Sequence, residues 1–431
     1  MMKKIVMLLA VAAMTCFSTS AFAVHIEEGQ GKASGNLADI SIGGSLDIRS
    51  RDFQNLDMNK NVGDATLDTQ ERVRLDVNVK AGDVKGKVTI ENDWDSFGRF
   101  EQPQGDSTTA TSSKNTARLD VREAWMLFPL PGTPVYVKGG HMLLQLGNGW
   151  WFRSMKYGSD AWVAFTTIDP VHIGLVNVKV SEGLTSQSDD VDAYVAFVSV
   201  KASDTMKFGG DVTYANDRRN TLGFGTPGAT DPAGQTQAYN IGLNADVKAG
   251  PVGLKAEVDV QTGKAKGNDA KFKGNQVVVQ GNVGMDPVTI NFALAYGSGK
   301  KIGEKDYKNM VTFLDADQHY TFLYEYKIAG PCGIHTGFCN TTAISAGAML
   351  AATESLGVGL DVWFMQASEK VPEVGNPLAT TSELGTEVDV KLNWKLADNL
   401  TWNWTLGYLD PGKGLGKDAA TGAQGVLSMK F

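Results

Sequence analysis

Polar and apolar residues alternate strictly over many short stretches of this chain. The stretch 72–79 reads RVRLDVNV, and the stretches 254–261 and 387–396 repeat the pattern. Successive side chains of a β-strand point to opposite faces of the sheet, so each stretch predicts a strand with one polar and one apolar face. Runs of about ten such residues suit strands that turn their apolar face to lipid and their polar face to a water-filled interior.

The lengths of the links between the predicted strands also alternate. Short links at 81–83, 249–250 and 397–398 take turns with long polar stretches such as 96–116 and 369–383. Outer-membrane barrels have short periplasmic turns and long external loops. About eighteen strands satisfy this alternation; they lie near residues 38–53, 69–81, 84–95, 117–128, 133–142, 161–168, 171–181, 190–202, 205–215, 236–248, 251–262, 272–284, 287–297, 342–353, 356–367, 384–396, 398–409 and 423–431.

We therefore expect an all-β fold, a transmembrane antiparallel up-and-down β-barrel of about 18 strands, with 16 strands as the alternative. One further segment, 320–328, resembles a strand. Counting it as a membrane span would break the alternation of short and long links, so we place it in an external loop at 298–341.

The two ends of the chain carry targeting signals. A positively charged start and a short apolar run precede the motif AFA at 21–23, which is typical of a secretory signal peptide. We expect residues 1–23 to be cleaved and residues 24–431 to form a single barrel with long extracellular loops. The last strand ends on Phe431, which resembles the terminal signal read by the barrel-assembly machinery.

Composition narrows the function classes. The formal net charge of −8 makes the chain a poor binder of nucleic acid. Two cysteines remain after cleavage, Cys332 and Cys339, and a disulfide within one loop is the favoured interpretation in an oxidising compartment. The five histidines show no metal-ligand spacing and no nucleophile motif is present, so we expect no metal, no cofactor and no enzyme activity.

The polar faces of the predicted strands would line the pore. Positive and negative residues are nearly balanced there, which predicts no strong ion preference. If Glu387 and Asp389 lay across the lumen from the early arginines, a transverse field would orient dipolar solutes; the alternative is local pairing of those arginines with neighbouring carboxylates. The predicted pore-lining residues are Arg72, Arg74, Asp76, Arg118, Asp120, Arg122, Lys255, Glu257, Asp259, Glu387, Asp389 and Lys391.

The segment 143–160 is too aromatic for a freely solvated loop tip. Two interpretations stay open: it folds inward as a constriction, or it packs on the rim or on a partner. The residues of the candidate constriction are Trp150, Trp151, Arg153 and Lys156.

One predicted strand departs from strict alternation. Glu123 breaks the period and would face lipid, which predicts a β-bulge there. Trp125 and Phe128 lie beside the turn 129–132 and are expected in an aromatic girdle at the membrane interface.

Separate segments of the chain resemble alginate-export-type porins. The segments are 123–125 with 135–141 and 147–149, then 313–320, and finally 384–389 through 410–412. The resemblance implies an eighteen-stranded barrel. Where that family usually has Arg-Gln, this chain has Gly140-His141, so the resemblance extends to the architecture and not to an acidic polysaccharide as cargo.

These patterns favour an outer-membrane porin, a water-filled channel for passive diffusion of small hydrophilic solutes or ions. One alternative is a substrate-specific channel for export or uptake of a polysaccharide or an organic anion. A second is a structural or conduit barrel occupied by a partner protein. The expected surroundings are outer-membrane lipid, and the sequence leaves open whether copies associate as a homo-oligomer.

Overall fold

The structure is a computed structural model that describes residues 31–34, 38–96, 119–183, 189–218, 236–265, 269–314 and 320–431. Its eighteen long strands confirm the predicted all-β, up-and-down barrel. They are β1 (Asp39–Gln54), β2 (Thr66–Ala81), β3 (Val84–Ser96), β4 (Asp120–Pro129), β5 (Tyr136–Gln145), β6 (Phe152–Ile168), β7 (Val171–Ser181), β8 (Val191–Ser203), β9 (Met206–Asp217), β10 (Thr236–Ala249), β11 (Val252–Ala265), β12 (Asn275–Met285), β13 (Val288–Gly297), β14 (Thr341–Ala351), β15 (Leu356–Glu373), β16 (Asn376–Ala397), β17 (Leu400–Pro411) and β18 (Ala420–Lys430).

Three short strands, Gly31–Ser34, Ala270–Lys271 and Phe313–Leu314, accompany them. In the described ranges no helix is long and apolar enough to cross a bilayer. The predicted signal peptide lies outside the described residues.

The sheet closes on itself between the first and last long strands. β1 pairs antiparallel with both β2 and β18. At the seam Gly44 N–H donates to Phe431 O over 2.9 Å, and Phe431 N–H donates to Gly44 O over 3.1 Å. The Ser428 hydroxyl also donates to the Asp47 carboxylate inside the barrel. A closed ring leaves no row of unpaired backbone groups, which is the condition for a sheet to lie in lipid.

The outer surface is apolar and exposed. Leu243, in the middle of β10, is 63% exposed, while Glu257 and Asp259 of neighbouring β11 are buried on the inner face. Trp394, Trp402 and Trp404 form an aromatic group on β16 and β17. The rings of Trp394 and Trp402 are stacked with centroids 6.4 Å apart, and those of Trp402 and Trp404 are tilted with centroids 5.7 Å apart. Such a surface suits lipid contact, with tryptophan rings near one interface.

Two predicted boundaries differ from the structure. The polar stretch 369–383 is part of a projecting hairpin and not a loop, since β15 and β16 remain paired out to Glu373 and Asn376. β6 begins at Phe152, so the connection after β5 is shortened to 146–151. The segment 320–328 forms bends and turns within the long connection between β13 and β14, where it was placed.

A β-bulge in β4 is present where Glu123 predicted one. The register with β3 shifts between Thr89 and Ile90, which leaves Arg122 as the extra residue. The bulge reverses the phase of the strand, so Glu123 and Trp125 both turn inward, and Trp125 Nε1 donates to Glu123 Oε2 over 2.9 Å. The expectation that Trp125 belongs to the lipid-facing girdle is therefore wrong.

The lipid-facing surface generates a stability prediction. Leu243→Arg places a charge at mid-height on the outer wall and should destabilise the folded barrel by about 2–4 kcal/mol. The matched control is Leu378→Arg, because Leu378 is 97% exposed near the tip of the projecting hairpin and should tolerate the charge. Urea unfolding in lipid vesicles measures both, and equal effects of the two substitutions would contradict the orientation of the wall.

Candidate functional site

The connection 146–151 folds into the interior of the barrel. Trp150 N–H donates to Glu257 Oε1 over 3.0 Å, Asn148 N–H donates to the other oxygen of the same carboxylate, and Asn148 Nδ2 donates to Ala256 O over 2.9 Å. Glu257 belongs to β11, five strands away from β6, so this loop reaches across the lumen. The part of the aromatic segment at 146–151 therefore lies inside the barrel, whereas residues 152–160 belong to the wall strand β6.

The described parts of the long connection, 298–314 and 320–340, also lie inside the barrel, and 311–314 packs against the first loop. Val311 O accepts from Trp151 Nε1 over 2.9 Å and from Gln261 Nε2 of β11 over 2.6 Å. The Trp151 ring stacks on Phe313 with centroids 5.6 Å apart, and the short strand Phe313–Leu314 runs parallel to the start of β6. The two loops therefore form one layer inside the barrel.

A second aromatic contact joins the same two loops. The Trp150 ring lies 5.0 Å from the ring of Phe338, which lies next to Cys339. Cys332 and Cys339 form a disulfide in this part of the long connection, with Cα atoms 6.0 Å apart.

One side of the lumen carries arginines from β1 and β2. The Trp94 ring lies between two of them, with its centroid 3.7 Å from the Arg49 guanidinium carbon and 4.2 Å from that of Arg72. Arg72 pairs with Asp47 at 2.9 Å, and Arg51 pairs with Asp68 at 2.5 Å. Arg49 instead bonds to neutral groups, the Gln70 amide oxygen and, over 3.4 Å, the Tyr326 hydroxyl.

A second row of charges continues on β2 to β4. Glu91 accepts from Arg74 and lies 3.6 Å from Arg122 Nε. Lys87 Nζ lies 3.0 Å from Glu123 and 3.4 Å from Asp76. Local pairing, one of the two alternatives considered for these arginines, is therefore what the structure contains.

Lys327 of the long loop joins the arginine side. Its Nζ lies 4.0 Å from the Tyr326 ring centroid and 5.1 Å from that of Phe53. Burial, and then the positive charges of Arg51 and Arg49, lower the pKa of Lys327 to about 8. We call Arg49, Arg51, Arg72 and Lys327 the basic cluster.

The carboxylates of β11 face this side from across the lumen. β11 is nine strands from β2 in a ring of eighteen, and it carries Glu257 and Asp259. Both are covered, with 3% and 2% exposure. Asp259 accepts from the side-chain amides of Asn240 and Gln276 over 2.9 and 2.7 Å, while Glu257 accepts from the 146–151 loop.

Glu387 and Asp389 do not lie opposite the arginines, so the condition for a transverse field between these groups is not met. Their strand, β16, is only four strands from β2 around the closed ring, and both carboxylates lie beneath the long loop. The β1–β18 seam makes the last strands neighbours of the first, which brings β16 close to β2.

The other predicted pore-lining and constriction residues have varied positions. Asp120 is exposed at the start of β4, and Arg118 lies outside the described residues. Lys255 approaches Asp246 at 3.7 Å, and Lys391 pairs with Asp361 at 2.6 Å. The remaining constriction residues lie at the start of β6, where Arg153 is partly buried and Lys156 Nζ is 4.8 Å from the Tyr157 ring.

Sequence reasoning missed several residues of the site. Asp47, Arg49 and Arg51 alternate along β1 and could have been found by the same period that identified Arg72 and Arg74. Lys327 had no periodic signal, because its segment has no regular structure. Within the described ranges no group of three His, Cys, Asp or Glu side chains is arranged to hold a metal ion.

Comparison with known proteins identifies the fold. OccK11 (OpdR) of Pseudomonas aeruginosa matches with a TM-score of 0.56 at 9% identity, over 94% of this chain and 99% of that one. OccK1 (OpdK) of the same organism matches with a TM-score of 0.57 at 10% identity, over 90% and 98%. The outer membrane protein OprD, also from P. aeruginosa, matches with a TM-score of 0.54 at 8% identity, over 90% and 94%.

This chain therefore has the barrel fold of the OccK and OprD porins. No family model matches it, and no curated protein matches it. The narrower resemblance to alginate-export-type porins finds no support in these comparisons.

The pKa of Lys327 predicts a pH-dependent selectivity. The side chain is positive below about pH 8 and neutral above it. Raising the pH from about 7 to 9 should therefore weaken any preference for anions. A unit charge about 10 Å away in water changes the energy of an ion by roughly 0.4 kcal/mol, favourably for an anion and unfavourably for a cation, so we expect about a fourfold fall in the anion-to-cation permeability ratio.

Reversal potentials in a salt gradient measure this ratio. Lys327→Met should abolish the fall in the permeability ratio between about pH 7 and 9. Lys305→Met, at an exposed lysine of the same loop, should retain this fall. A fall of equal size in the Lys327→Met protein would assign the titration to another group.

Proposed function

We propose that this chain is an outer-membrane porin that lets small hydrophilic solutes diffuse passively, with a preference for small organic anions. A barrel of about 16–18 strands is wide enough to leave an aqueous channel once its side chains are placed. An apolar outer wall with a charged inner wall supports a channel in lipid. The OccK and OprD barrels are porins and not enzymes, which supports the same reading at the level of fold.

The anion preference rests on one observation: the loops bury negative side chains of the inner wall and leave some positive side chains partly exposed. The carboxylates on β11 and β16 are buried under the chain's own loops, where backbone and amide N–H groups bind them. Arg72 and Arg74 of β2 retain partly exposed side chains. The balanced number of positive and negative side chains on the inner face predicted no strong ion preference. That number treats buried and exposed charges alike, although exposed charges act more strongly on a passing solute.

The solute class follows from the donor groups of the basic cluster. Guanidinium groups bind carboxylates through paired, planar N–H donors. One of the similar structures is of OpdK with vanillate, an aromatic carboxylate. Carboxylates of comparable size, aromatic or aliphatic, are the class we propose for this chain.

Two alternatives receive less support. A conduit barrel needs interior space for a partner protein, but here two loops of the chain itself occupy the interior. A dedicated polysaccharide channel has no supporting observation in the comparisons.

We further propose that residues 1–23 are a cleaved signal and that 24–431 form the mature barrel. Phe431, half exposed at the seam, is proposed as the residue read by the assembly machinery. Association into a homo-oligomer is compatible with the apolar outer wall.

Single-channel recording in planar bilayers tests the proposal. The pure folded protein should conduct ions, and a salt gradient should give a reversal potential on the anion-selective side. Arg72→Gln should reduce that potential, because it removes a cation from the basic cluster. Lys395→Gln removes one positive charge at a half-exposed side chain that pairs with Asp398 beside the turn, four strands from Arg72, and should have a smaller effect. A folded, heat-modifiable barrel that conducts no current would refute the porin function.

A further inference from the structure

We propose that Glu387, together with a notch formed by Gly407 and Gly422, is the docking site that holds the long loop in the lumen and sets the width of the passage. The part of the loop that docks there is 322–324, which we call the loop anchor. The inference rests on the proposed function, since it assigns positioning residues to that channel.

The first half of the docking site is a buried carboxylate. Phe322 N–H and Leu323 N–H donate to Glu387 Oε1 over 2.7 and 2.6 Å, and Tyr324 N–H donates to Oε2 over 2.8 Å. Three successive N–H groups converging on one carboxylate form an anion-binding concavity. Hydrogen bonds to a charged acceptor are about twice as strong as neutral ones.

Glu387 and the backbone N–H groups of the loop anchor each need the other as a hydrogen-bond partner. Glu387 is 0% exposed, and a buried carboxylate without donors is strongly unfavourable. The loop anchor lies outside any regular strand, so its N–H groups have no partner strand to satisfy them. The carboxylate supplies what the backbone lacks, and each group therefore fixes the position of the other.

The second half of the docking site is a gap in the wall. Gly407 of β17 pairs with Gly422 of β18, and Gly407 also pairs with Asp389 of β16. A Cβ atom on Gly407 would lie 2.6 Å from Phe322 Cδ1. One on Gly422 would lie 2.7 Å from Phe53 Cδ1 of β1 and 2.9 Å from Leu323 Cδ2. The wall thus lacks side chains at the place where the anchor packs, and Leu323 is completely buried there.

The position of the anchor affects the basic cluster. Tyr326 and Lys327 follow it directly, and Tyr326 hydroxyl contacts Arg49. Release of the anchor would therefore move Lys327 away from the arginines and withdraw part of the loop layer. A wider and less anion-selective passage is the consequence.

Two substitutions disturb the docking site in different ways. Glu387→Gln keeps the shape but leaves one acceptor oxygen and turns an amide donor toward the loop N–H groups. Gly407→Val leaves all charges unchanged and fills the notch. Both should raise single-channel conductance by about 1.5-fold or more, because conduction depends on the cross-section left by the loops.

The matched control is Asp361→Asn. It makes the same change in net charge as Glu387→Gln, on neighbouring β15, at a carboxylate that pairs with Lys391 of the wall. Its conductance should stay close to that of the wild type. An effect as large as that of Glu387→Gln would mean that wall charge alone, and not loop docking, sets the conductance.

Hydrogen exchange of the Phe322, Leu323 and Tyr324 amides gives a readout that does not need conduction. These amides should exchange slowly in the wild type and about tenfold faster or more in both variants. Fast exchange of the wild-type amides, or unchanged exchange and conductance in folded variants, would overturn the proposal. A wild-type barrel with slow exchange but no current would refute the porin function and leave the docking site supported. A shift in gel mobility on heating identifies the variants that fold. If neither variant folds, the exchange rate of the three amides in the wild-type protein tests the proposal.

Discussion

The antiparallel pairing of β1 with β18 is the interaction on which the rest of the structure depends. It turns an open sheet, whose edges would expose unpaired N–H and C=O groups, into a ring that can lie in lipid. Once the ring is closed, every strand has one face toward lipid and one toward the lumen, and the period-two pattern follows. Closure also decides which strands face each other, and so which charges lie across the lumen.

The same requirement for hydrogen-bond partners acts inside the barrel. Two irregular loops enter the lumen and bring backbone N–H groups with no strand to pair with. Glu257 and Glu387 accept these groups, so carboxylates that alternation places on the inner face become part of the loop layer. These acids are covered while Arg72 and Arg74 stay partly exposed, and this difference is the basis of the anion preference that we propose.

The bulge in β4 shows how one residue changes a whole strand. A strictly alternating strand would carry Val121, Glu123 and Trp125 on the same face. The extra residue Arg122 reverses the phase, so Val121 faces outward while Glu123 and Trp125 face the lumen. Lys138 Nζ then lies 4.0 Å from the Trp125 ring centroid, in the interior rather than in a lipid-facing girdle.

The sequence by itself determined that the chain forms about eighteen strands and which face of each regular strand is polar, because a β-strand in lipid must repeat its pattern every second residue. It also indicated the bulge at Glu123 and the unusual aromatic content around Trp150. Only the tertiary structure decided that β11 faces the arginines, that Lys327 joins them, and that Glu387 binds a loop. These contacts join residues distant in the chain or in irregular segments, where no local period exists to reveal a partner.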